Sequence, residues 1–127
     1  MLSPYAYKMT RNEREQKFAE ADGRVKQLEA QQFCGLCSPY DVVSAPVLAA
    51  LEPEEGRKMG LSADEIGLLS YLYDGPNCEQ FARFPGCDAK AENVARTVES
   101  RFGDVVQDHQ RLLKYWRGVR SRNKLRM

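Results

Sequence analysis

The sequence predicts a mostly α-helical fold, a small helical bundle or hairpin with two long amphipathic helices, irregular connections and extended termini. Two Ser/Thr-x-x-Glu capping boxes, Thr10/Glu13 and Ser62/Glu65, mark helix starts. Apolar residues recur at steps of three and four in the first and last thirds of the chain, and the period-two alternation of strands is almost absent. A length of 127 residues suits one domain over 1–127, with an N-terminal arm at about 1–10 and a basic C-terminal tail at about 111–127.

The Thr10 box opens the first long helix. Arg14, Phe18, Ala21, Val25, Leu28 and Gln32 form one narrow stripe along it, and Gly23 weakens its interior by about 1 kcal/mol relative to alanine. This helix ends near Cys34. Ser44 is placed to cap a short helix from Ala45 to about Leu51, after which Glu52, Pro53, Glu54, Glu55 and Gly56 read as a solvated surface break. The Ser62 box opens a helix through Ile66, Leu68, Leu69, Tyr71, Leu72 and Tyr73, stopped by Asp74-Gly75-Pro76. A single helical turn and a bend follow between Cys78 and Cys87. Asp88 then caps a long helix from Ala89 whose packing seam is Val94, Val98, Phe102, Val105, His109, Leu112, Trp116 and Val119, with Gly103 as a kink point.

Apolar residues make up 43% of the chain and charged residues 29%, which excludes wholesale disorder. No apolar run approaches the length of a membrane span, and no secretory signal is expected; the short basic N-terminal stretch has a weak organellar character. The net charge of +1 hides a sign change along the chain. Residues 39–100 hold five Lys/Arg against eleven Asp/Glu, and residues 101–127 hold eight against two.

The four cysteines allow three readings. Cys34, Cys37, Cys78 and Cys87 ligate one structural zinc, or form two disulfides such as Cys34–Cys87 and Cys37–Cys78, or are small buried hydrophobes. The eight residues between Cys78 and Cys87 are long for a zinc framework. Stable disulfides require an oxidising compartment, of which the space between the two mitochondrial membranes is one. A redox-active dithiol is disfavoured, because nothing around Cys34 predicts a strand-to-helix context.

His109, the lone histidine, is expected to pack on the last helix, and no catalytic signature accompanies it. The predicted partner-binding residues are Arg111, Lys114, Trp116, Arg117, Arg120, Arg122, Lys124 and Arg126, an amphipathic basic end suited to other protein subunits, anionic lipid headgroups or RNA. No small-molecule substrate is indicated. These features favour a non-catalytic accessory subunit of a large assembly, with a mitochondrial membrane complex as the setting. The alternative is a small RNA-binding or ribosomal protein with a zinc knuckle and a basic C-terminal helix.

Overall fold

The computed structural model of the chain describes residues 9–38, 40–74 and 83–125. Among them are five helices, α1 (Arg11–Gln31), α2 (Ala45–Leu51), α3 (Pro53–Lys58), α4 (Ala63–Asp74) and α5 (Cys87–Asn123), and no strand. No described helix is long and apolar enough to cross a membrane.

Local sequence accounts for most of the helix ends. The Thr10 hydroxyl accepts from the Glu13 amide at 3.1 Å, and α1 closes on Gln32, whose left-handed φ of 53° breaks the helical run. At α4 the capping box is reciprocal: the Glu65 amide donates to Ser62 Oγ at 3.2 Å and the Ser62 amide donates to Glu65 Oε1 at 3.0 Å. Ser44 holds the N-cap position of α2, but its side chain makes no capping bond; Pro46 in the first turn supplies the fixed φ instead.

Two boundaries depart from the sequence reading. The stretch read as a solvated break folds into α3, started by Pro53 at its first position, and it buries Glu55 at 5% exposure. Burial pushes the Glu55 carboxyl above its usual range, against the attraction of Lys58. The long helix begins at Cys87 behind the left-handed Gly86 (φ 83°), so Asp88 lies inside its first turn and accepts a 2.7 Å bond from the Tyr71 hydroxyl. Cys78, Phe81 and the single helical turn expected after Cys78 lie outside the described residues, whereas the expected bend is present as a turn at Pro85-Gly86 that leads into α5.

Helix α5 is the spine. Its first half carries α4, through Leu68 and Tyr71 against Cys87 and Ala91. Next along it comes the main core, where Ala45, Leu48, Ala49, Met59 and Leu69 meet Ala95, Val98 and Val106. Its last third carries α1, which runs antiparallel to it: the Arg14 guanidinium donates to the Arg122 carbonyl at one end and His109 meets the Leu28 carbonyl at the other. Among the described helices α1 touches α5 alone, so the two helices and the connection after α1 form one structural end of the molecule.

The seam of α5 drifts from its predicted course. Val98 is buried as expected, but Val105 and Leu112 are 53% and 49% exposed while their neighbours Val106 and Leu113 are 0% and 1% exposed. Both courses step by fours and threes, and both satisfy an amphipathic helix. The choice falls to the covering elements, since α2 reaches Val106 and α1 reaches Leu113. Gly103 lies within an unbroken helix, and the Glu99 carboxylate covers its Cα. The stripe expected on α1 is narrower than its sequence suggests, with Ala21 and Val25 alone fully buried.

Candidate docking site at the loop between α1 and α2

Residues 32–38 and 40–43 fold back on one face of α5. The entry is the Phe33 ring, edge-on to His109 with centroids 5.5 Å apart. The next residue, Cys34, is 3% exposed and packs with Val25 and Leu113. Further out, the Arg117 guanidinium donates to the Cys37 carbonyl at 2.9 Å. The chain then returns, and the Val43 amide donates to Gln110 Oε1 at 3.0 Å. The loop therefore leaves and rejoins α5 at adjacent residues, His109 and Gln110, with its far point at Arg117. Such closure by side chains of one helix gives a compact Ω-type loop.

The His109 anchor has a defined tautomer. A carbonyl oxygen only accepts, so the 2.7 Å contact with Leu28 O places the proton on Nε2 and leaves Nδ1 unprotonated, without a hydrogen-bond partner among the described residues. Burial, with Arg117 nearby, lowers the His109 pKa below its ordinary 6.5, outweighing the Leu28 bond that favours the charged form. A depressed histidine pKa means that the unfolded chain binds the proton more tightly than the folded one. Stability from this group is complete above pH 6.5 and is lost as pH falls from there through the lowered folded value. Urea unfolding monitored between pH 8 and 5 is expected to show this loss, and His109→Gln is expected to flatten it. A slope that persists in the variant would assign the effect to carboxylates.

The basic tail is divided by the structure. Arg117 also bridges Glu29 at 3.1 Å, and Arg120 bridges Asp22 at 3.2 Å, so both tie α5 to α1. Lys26 and Arg120 hold the Asp22 carboxyl below its usual range, with the Lys26 hydrogen bond the largest cause. Trp116 is half-buried under the Arg24 guanidinium, 5.7 Å from the ring centroid. Arg111, Lys114, Arg122 and Lys124 are exposed, and Arg126 lies outside the described residues. The seven described residues of this set thus serve two purposes: Arg117, Arg120 and Trp116 hold the fold, while Arg111, Lys114, Arg122 and Lys124 are exposed.

The cysteines also separate. Cys34 and Cys37 are bonded to each other, with Cα atoms 5.6 Å apart. Cys87 is a buried free thiol against Leu68, Tyr71 and Ala91. Cys87 begins α5 and Cys34 packs on Leu113, 26 residues further along; at 1.5 Å per residue this is about 40 Å. The expected Cys34–Cys87 bridge is therefore not formed, and Cys34 and Cys87 do not share one metal tetrahedron; Cys78 lies outside the described residues. The reason is the antiparallel run of α1, which delivers its C-terminal end to the middle of α5 and not to its start. Among the described residues no group of three or more His, Cys, Asp or Glu side chains clusters at metal-binding distance.

What sequence reasoning missed is apolar. Leu36 (62% exposed), Tyr40 (82%), Val42 (45%) and Leu51 (56%) are large exposed hydrophobic side chains that line one groove of about 460 Å³, floored by Val43 and Leu48. Asp41 is the charged residue in its lining. On the other side of Cys37 a second cleft of about 550 Å³ lies between α1 and α5, lined by Phe18, Asp22, Arg117, Arg120, Ser121 and Lys124. The signal in the sequence was the apolar pair Leu36 and Val42 beside a tyrosine in a loop too short to form its own core. Comparison with protein-family models, curated proteins and solved structures finds no match for this chain.

Proposed function

We propose that this chain is a non-catalytic docking subunit that binds a helix of another protein subunit in the groove of Leu36, Tyr40, Val42 and Leu51. One observation carries the reading: these four exposed apolar side chains converge on a single concave surface held in place by the α5 anchors. Filling it would bury about 1.5–3 kcal/mol of apolar contact per fully covered side chain. Asp41 at the lining favours a basic residue beside the apolar face of the incoming helix. The exposed cations Arg111, Lys114, Arg122 and Lys124 supply a separate polar contact for an acidic surface or for anionic headgroups.

The setting we favour is a large mitochondrial membrane assembly. A lasting Cys34–Cys37 bond requires an oxidising compartment, which the space between the mitochondrial membranes provides. An RNA partner is the weaker reading, because Glu29 and Asp22 already neutralise Arg117 and Arg120.

The test is the size of the native particle. Tagged chain from its own cells is expected to migrate with an assembly far larger than 127 residues, unaffected by ribonuclease. Leu36→Glu with Leu51→Glu, both on exposed positions, is expected to weaken binding at least about tenfold, the equivalent of about 1.4 kcal/mol, and to shift the chain toward the free form. A free wild-type monomer, or a double variant that stays assembled, contradicts docking at this groove.

A further inference from the structure

We propose that the Cys34–Cys37 bond is a thiol–disulfide exchange site at which an incoming peptide thiolate attacks Cys37. This stoichiometric exchange goes beyond docking, does not depend on it, and departs from the sequence expectation that disfavoured a redox-active dithiol here. The bond joins residues three apart in sequence, and a loop this short restricts the unfolded chain much less than a bridge between distant helices. Its contribution as a staple is correspondingly small. Its two sulfurs also sit in unequal surroundings. Cys34 is 3% exposed under Val25 and Leu113, whereas Cys37 is half-buried and lines both the apolar groove and the cleft between α1 and α5. Access is thus from the Cys37 side.

The step balances without an external oxidant. The incoming thiolate forms a bond to Cys37 Sγ, the Cys34–Cys37 bond breaks, and its electron pair leaves on Cys34, which takes a proton from water. A second thiol on the same incoming peptide then attacks its own sulfur in the mixed disulfide. That peptide leaves with a new disulfide, and Cys34 and Cys37 remain as a dithiol, two electrons richer.

With the bond closed, Arg117 holds the Cys37 carbonyl and Cys34 packs on α5 against Leu113. The charges around Cys37 are mixed: Arg117, Arg120 and Lys124 with Asp22 line one cleft, Asp41 lines the groove, and Glu29 pairs with Arg117. Selectivity between the two sulfurs therefore rests on access, with local charge close to balanced.

Glutathione is the probe. The full oxidised chain is incubated with reduced glutathione, quenched in acid and digested without reduction; Cys78 and Cys87 fall on other tryptic peptides, and fragment masses separate Cys34 from Cys37. The adduct is expected on Cys37. In parallel, Cys34→Ser and Cys37→Ser are treated with oxidised glutathione, and the thiol left in Cys34→Ser is expected to react at least about tenfold faster than that left in Cys37→Ser. An adduct on Cys34, no adduct under conditions that open an exposed disulfide peptide, or equal rates in the two variants would overturn the proposal. If circular dichroism shows either variant unfolded, the wild-type mapping decides alone.

Discussion

Leu113→Ala is expected to lower the unfolding free energy by about 2–5 kcal/mol, the range for emptying a buried leucine site. Leu113 is 1% exposed and is the point where α1, α5 and the loop meet, through Val25 and Cys34. Because α1 touches no described helix other than α5, little else nearby is positioned to collapse into the space. The loss is a large share of the roughly 5–15 kcal/mol that keeps a domain folded. Leu112→Ala is the internal control. At 49% exposure it is expected to change stability by no more than about 0.5 kcal/mol, although the repeat of the sequence puts Leu112 on the seam. Urea unfolding followed by circular dichroism reads both, and a larger loss at Leu112 would show that the helix presents its other stripe.

Arg117→Met is expected to cost about 1.5–3 kcal/mol, most of it at the loop, because a charge-assisted bond to a carbonyl is lost while methionine retains much of the side-chain stem. The Arg117 side chain is 16% exposed and its Glu29 partner 46%, so the ion pair itself contributes little. The larger share comes from leaving the Cys37 carbonyl without its donor. Hydrogen exchange should therefore accelerate across residues 34–43 more than in α4. Arg111→Gln and Lys114→Gln, both exposed, are expected to stay within about 0.5 kcal/mol. Equal losses at Arg111, Lys114 and Arg117 would mean that the tail acts through its total charge and not through this one anchor.

These two experiments mark where the sequence was readable. Capping at Thr10 and Ser62 depends on atoms within three residues of each other, so the helix starts could be seen in the string. The start of α5 could not, because a bond from Tyr71 draws Asp88 into the first turn and a left-handed Gly86 takes the cap. Helix α3 was hidden by composition. Pro53 signals a helix start, but Glu52, Glu54 and Glu55 suggested a solvated loop, and the burial of Glu55 becomes evident only once α3 has packed. The groove was hidden for the same reason: Leu36, Tyr40, Val42 and Leu51 are separated in sequence and converge when the loop returns to Gln110.

The sequence by itself determined that the chain is helical, where most helices begin, and that the cations gather at one end, since each depends on local hydrogen bonding or on composition. The tertiary structure alone decided which stripe of α5 is covered, which cations are paired, and that Cys34 bonds Cys37 while Cys87 lies about 40 Å away along the helix. A helix of 37 residues offers more than one apolar course to its neighbours, and the choice is made by the elements that pack against it.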